Sequence, residues 1–206
     1  MPTKHSSAHS FLSWAKERID EMDATLASLE GKSAQMQAET RVKADQFIAE
    51  MKKRRDEFTS AVERQVEPGE AAWQATTARL EAEWKGFQAE TAKYLDTFGE
   101  GIEQEQAVFQ SQVAAQLNAW RETTDKLNAA AKEFATERRR EIDATVARMK
   151  ADTVAAEQKL QDLARAGSES WSALNAALSE TRSTFDRANQ AAREAFRRAT
   201  RTGSGE

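Results

Sequence analysis

The chain has no cysteine, only two prolines and two histidines, a single tyrosine and eight glycines. Without cysteine there is neither a disulfide framework nor a thiolate nucleophile, and the redox compartment stays open. Both histidines, His5 and His9, sit in a small polar N-terminal stretch. Their spacing of four would place them on one face of a helix as a weak metal pair, but a frayed polar tail accounts for them better, and no Glu-x-x-His pair exists to build a di-iron carboxylate centre. No metal, no cofactor and no catalytic residue is therefore expected, and the protein reads as a non-enzyme. No glycine-rich phosphate loop is present, because Gly99-Glu100-Gly101 lacks the preceding strand and the further glycines of a fingerprint.

Charge of one sign is also missing. Thirty basic and thirty-four acidic residues give a net charge of −4, mixed along the chain, so no global field draws in nucleic acid. The runs Lys52-Lys53-Arg54-Arg55 and Arg138-Arg139-Arg140 are flanked by Asp56, Glu57, Glu137 and Glu141, which predicts solvated, salt-bridged faces. The same lack of cationic excess argues against anionic membranes as a partner. No apolar run approaches the roughly 20 residues of a membrane-spanning helix, and none of signal-peptide length follows Met1, so a cytoplasmic protein without a transmembrane segment is the expectation.

What is present is the composition of long helices: alanine, glutamate, glutamine, lysine and arginine in abundance and few strand-forming residues. An all-α, elongated bundle or coiled coil is predicted. Leu12, Ala15, Ile19, Met22, Leu26 and Leu29 alternate steps of three and four, a heptad seam on one helix face. Gly31 weakens this helix without ending it. Farther along the step becomes eleven: Met36, Phe47, Phe58; then Met51, Val62, Trp73, Trp84, Leu95; then Phe87, Phe98, Phe109, Trp120, Ala131, Ile142. Eleven residues in three turns leave a stripe that scarcely drifts around the axis.

Two stretches interrupt the periodicity in the same way. Pro68-Gly69 precedes Trp73, and Gly167 precedes Trp171, each glycine four residues before its tryptophan. Pro68 suits the first turn of a following helix, and Gly167 a helix C′ position with Ser168 as the next N-cap. The separation of Trp73 from Trp171, 98 residues, also relates Phe11 to Phe109, Leu29 to Leu127, Met51 to Met149, Gly69 to Gly167, Phe87 to Phe185 and Phe98 to Phe196. An internal duplication is inferred from the alignment of these rarer residues.

The resulting plan is a polar tail over 1–10, a helical hairpin repeat over 11–98, a second over 99–200 and a flexible tail over 201–206. Gly99 and Gly101 divide the repeats. Each repeat holds a long helix of about 55 residues and a shorter one of about 30, four helices in all. Pro-Gly favours folding back into hairpins. The alternative is a kinked, nearly continuous rod, which would preserve the eleven-residue step across the joints.

Three segments carry a family resemblance: Arg18-Ile19-Asp20-Glu21-Met22-Asp23-Ala24, Lys52-Lys53-Arg54-Arg55-Asp56-Glu57, and Gly167-Ser168-Glu169-Ser170-Trp171-Ser172-Ala173-Leu174 with Phe185 and Phe196 beyond it. The chain resembles small bacterial coiled-coil proteins labelled as stress-response proteins, first noted in cyanobacteria, here as two units in tandem. That resemblance implies a structural, stress-related role and carries no catalytic residue.

The stripe Trp73, Trp84, Phe98, Phe109, Trp120 and Trp171 is the expected contact surface, for a second copy or another helical protein. A chain exposing so long a stripe is expected to oligomerise unless its helices fold back over it. The alternative function is an amphipathic, phasin-like or apolipoprotein-like coat on a lipid or granule surface.

Overall fold

The computed structural model describes residues 3–64, 70–99, 101–166 and 170–201. Among them are six helices and no strand: α1 (Thr3–Ser33), α2 (Ala38–Glu63), α3 (Glu70–Phe98), α4 (Ile102–Ala131), α5 (Thr136–Ala166) and α6 (Trp171–Arg201). The all-helical prediction holds, but the four-helix plan does not. Each expected long helix is two helices, because the chain turns back over 34–37 and again over 132–135.

Neither turn contains proline or glycine, so helix propensity gives no warning of them. Both close with short-range bonds, Gln35 N to Lys32 O at 2.9 Å and Met36 N to Ser33 O at 3.0 Å in one, Glu133 N to Ala130 O at 3.3 Å and Phe134 N to Ala131 O at 3.2 Å in the other. Met36 and Phe134 are half-buried against the two apolar cores. Burial of an apolar side chain at each bend offsets the loss of a turn of regular helix.

The contacts fix the topology. In the α1/α2 hairpin Glu30 pairs with Lys52, Asp23 with Arg55, and Trp14 meets Phe58, so numbers rise on one helix as they fall on the other. The α2/α3 pair is antiparallel in the same way, with Phe47 edge-on to Tyr94 at 5.8 Å and Arg54 3.7 Å from Glu90. The chain therefore folds back rather than running on as a rod. Pro68 and Gly69, at the joint itself, and Gly167 and Ser168, at its echo, lie outside the described residues. α6 begins at Trp171, where the Ala173 amide donates to Ser170 Oγ at 3.4 Å, so the first-turn cap described is Ser170.

Helices α4, α5 and α6 repeat the up-down-up path, with Arg121 to Glu157 and Lys159 to Glu180 marking the antiparallel pairs. The two triplets meet along α1 and α4, which run antiparallel: Thr25 faces Gln112 and Glu17 faces Trp120. α6 lies beside both, parallel to α4, with Trp120 stacked on Phe185 at 4.9 Å. α1 consequently touches α2, α3, α4 and α6. One apolar core fills the first triplet, with Val108 of α4 added, and the other fills the second.

Between the triplets the glycines have a steric role. A Cβ at Gly99 would lie 2.2 Å from Leu95 O, and Gly101 holds φ at 102°, in a region open essentially to glycine. Gly31, in contrast, is helical and exposed, and a Cβ there meets nothing within 4 Å. Gly31→Ala should therefore raise stability by about 0.5 to 1 kcal/mol, by reducing the entropy of the unfolded chain. Urea denaturation measures this, and an unchanged or lower midpoint would contradict it.

Candidate functional site

The site is set by the crowding of α1. Its apolar seam, Ala15, Met22, Leu26 and Leu29, is buried as the periodicity requires, but Leu12 of that seam is exposed and Ile19 only half-buried. In their place Ser13, Glu17, Arg18, Glu21 and Thr25 are buried. Four of these, at positions 13, 17, 21 and 25, recur every fourth residue and form a polar stripe beside the apolar one. α4 and α6 cover that stripe, so every polar group on it requires a protein partner.

Partners are provided in pairs. Glu21 receives a two-pronged contact from Arg182 of α6, Nη2 to Oε2 at 2.7 Å and Nε to Oε1 at 3.2 Å, the geometry in which guanidinium and carboxylate match best. Gln116 of α4 donates to Glu21 Oε1 at 3.3 Å and accepts the Thr181 hydroxyl at 2.7 Å. Gln112 donates to Thr25 Oγ1 at 2.9 Å, and Trp120 Nε1 donates to Glu17 at 3.3 Å.

Arg18 reaches in several directions. It contacts Asp186 of α6 at 2.8 Å, Glu17 at 2.9 Å and Glu81 of α3 at 3.2 Å. Its guanidinium lies 4.3 Å over the Trp14 ring, and that of Arg182 lies 4.8 Å over Trp84, so an aromatic face replaces water on each cation. Glu17 and Glu21 are wholly buried, while Asp186 and Glu81 reach the solvent edge.

Four acids thus share two guanidiniums, and the excess falls on Glu17. Burial pushes its carboxyl well above the ordinary range, Arg18 opposes this, and Glu21 and Asp186 add to it. Burial likewise raises Asp186 against the pull of Arg18. For Arg18 and Arg182 burial works against the charge, yet the surrounding acids outweigh it and hold both above the usual arginine value.

Arginine, carboxylate and amide at these spacings make a directional clamp. A buried ion pair contributes little net stability relative to a well-packed apolar replacement, but removing one partner is costly because the other is left unpaired. Sliding α6 by one helical turn would strand Arg18, Glu21 and Arg182 together, so the network specifies one register of α1, α4 and α6.

The sequence-predicted stripe lies elsewhere than expected. Trp84, Phe109 and Trp120 are buried inside the chain itself, and Phe98 and Trp171 are half-buried against its cores. The Trp73 side chain lies outside the described residues. Trp84, Phe98, Phe109, Trp120 and Trp171 are intrachain packing rather than a free contact surface, because folding back covers the seam. The network residues went unnoticed because acids and arginines read as surface on any helix. The i, i+4 run Ser13, Glu17, Glu21, Thr25, on a helix that also carries an apolar seam, was the available signal.

Among the described residues no group of three or more histidine, cysteine or acidic side chains is placed to hold a metal ion, and no helix is long and apolar enough to cross a membrane. Two surface depressions among the described residues are open grooves. One lies along α2 by Lys52, Lys53 and Asp56; the other lies between α4 and α5, with Leu117 and Leu160 among its lining residues. Fold and site together define an all-helical bundle closed around a buried ionic layer. Comparison with family models, with curated proteins and with solved structures finds no match to this chain.

The network sets the pH response. A carboxyl raised on folding keeps its proton to higher pH in the folded state than in the unfolded chain, so stability is full below the ordinary glutamate value of 4.5 and declines as pH rises through the folded value. Glu17→Gln should reduce the fall in the urea midpoint as pH rises above 4.5, leaving the contribution of Asp186; a slope equal to the parent's would refute this. Glu21→Ala, which strands Arg182, should cost about 3 to 5 kcal/mol, read in the same titration.

Proposed function

We propose that this chain is a non-catalytic helical structural and interaction protein, acting in the cytoplasm through association with a second copy or another helical protein. The observation that supports this reading is the use of the interior: aromatic side chains and a buried ionic clamp fill it, leaving chemistry to the outer helix faces. A stress-related role follows from the family resemblance. Descent from a duplicated unit is part of the same reading, since a 98-residue shift carries α1 close to α4, α2 to α5 and α3 to α6, and carries the bend residue Met36 onto Phe134.

With the stripe closed inside the chain, association uses other groups. Val42 on α2 and Val154 on α5 are large apolar side chains exposed to 58% and 67%, and single apolar side chains amid charge suit weak, reversible contacts. Sedimentation velocity should show the average mass rising above the 23.0 kDa of one chain as concentration increases, with Val154→Asp lowering that rise while the thermal midpoint is unchanged. A single species of monomer mass throughout the micromolar range would sink the reading.

The second reading is a coat on lipid or granule surfaces, in which the bundle opens. It is favoured by α6, whose Leu174, Leu178, Phe185 and Phe196 share one buried face while Arg187, Arg198 and Arg201 lie on the exposed side. Opening would transfer Trp84 and Trp120 from the core to the lipid. Trp120→Ala should cost the closed bundle about 3 to 5 kcal/mol and strengthen coating; thermal denaturation and vesicle flotation distinguish this from a variant that only unfolds.

A further inference from the structure

The fold collects charge that the sequence disperses. α6 ends where α5 begins, as Arg198 Nε to Glu141 at 3.1 Å shows, and Phe134 in the preceding turn meets Phe196 edge-on at 5.7 Å. Residues 132–143 and 193–201 therefore lie at one pole of the bundle. They contain eight basic residues against five acidic ones, a net charge of +3 in a chain whose total is −4. The remainder carries −7.

Some of these cations already have partners: Arg139 pairs with Asp143, and Arg198 with Glu141 and Glu194. Lys132, Arg140 and Arg201 are exposed and make no ion pair among the described residues. Arginines at the end of α6 complement their own helix dipole, but Arg138, Arg139 and Arg140 stand at the positive start of α5, where cations are disfavoured. Helix stability accounts for Arg139, through its pair with Asp143 one turn on, but gives no reason for Arg140. The opposite pole, where α3 gives way to α4, has Asp96, Glu103 and Glu105 and no base among the described residues between 94 and 106.

We propose that the cationic pole docks the closed bundle onto an anionic lipid surface, with the half-buried Phe134 at the contact and the acidic pole directed away. Clustered Lys and Arg beside an aromatic side chain form the pattern that draws a protein to acidic headgroups, each cation adding roughly a factor of five in affinity. The mixed charge along the sequence argued against anionic membranes, but a surface responds to the local field, which decays over about 10 Å. This docking is independent of self-association and, unlike the lipid coat, leaves the tryptophans in the core.

The test uses the full chain with sucrose-loaded vesicles, either phosphatidylcholine alone or phosphatidylcholine with about one quarter phosphatidylglycerol. The parent should sediment with the acidic vesicles alone and be released by about 0.5 M salt. The triple variant Lys132→Gln, Arg140→Gln, Arg201→Gln should lose about a hundredfold in affinity, while Lys43→Gln, Lys53→Gln, Lys85→Gln, which removes the same charge from exposed positions elsewhere, should keep it.

The proposal is overturned if the parent binds neither vesicle or both equally, or if the two variants lose affinity alike. Binding that the first variant leaves intact and that blue-shifts tryptophan emission would assign contact to an opened bundle and also overturn it. So would capture of a single-stranded oligonucleotide without capture of acidic vesicles, which would make the pole a polyanion site.

Discussion

Enclosure of α1 by four other helices is the constraint from which the rest of the architecture follows. A helix on a bundle surface buries one stripe and wets the other, but over its middle turns α1 buries polar residues as well as apolar ones and leaves only a narrow wet edge at Asp20, Asp23 and Ala27. Glu17, Arg18, Glu21 and Thr25 are inside, and each must be answered by a donor or acceptor of matching geometry. α4 answers with amides and an indole, α6 with Arg182 and Asp186, and α3 with Glu81. Two apolar cores provide the cohesive energy. The ionic layer between them provides direction, since apolar side chains tolerate sliding and a bidentate guanidinium does not.

The same enclosure organises the surface. Because α4 and α6 both run antiparallel to α1, they run parallel to each other, and their ends share a pole. α5 must start at that pole to connect them. Arginines separated by about sixty positions in the chain become neighbours, and acids gather at the other end, where α3 meets α4. The joining of the two arginine clusters into one pole is not visible in local composition, and net charge alone conceals it.

The eleven-residue ladders illustrate how a correct pattern can support a wrong geometry. Phe87, Phe98, Phe109, Trp120, Ala131 and Ile142 keep their step through α3, α4 and the start of α5, although the chain reverses twice along the way. Phase carried across a joint appeared to favour a rod. In the folded chain each helix presents its own stripe inward, and connections of nearly constant length preserve the count through a reversal as easily as through a kink. The bends near Met36 and Phe134 were hidden for a related reason: the residues around them favour helix, and only the gain from folding two apolar faces together overrides that preference.

Composition and periodicity by themselves determined that this chain is all-helical, that its aromatic and aliphatic side chains fall on repeating stripes, and that Gly99 to Gly101 interrupts the helix, because these depend on local backbone preference and on one repeating apolar face. Tertiary structure alone decided that there are six helices, that Trp84, Phe109 and Trp120 face inward within one chain, that Glu17, Arg18 and Glu21 are interior, and that scattered arginines form a pole. The physical reason is common to all four. Each depends on which helix lies beside which, and a charged side chain has the same appearance in sequence whether its neighbour is water or the guanidinium of a helix more than a hundred residues away.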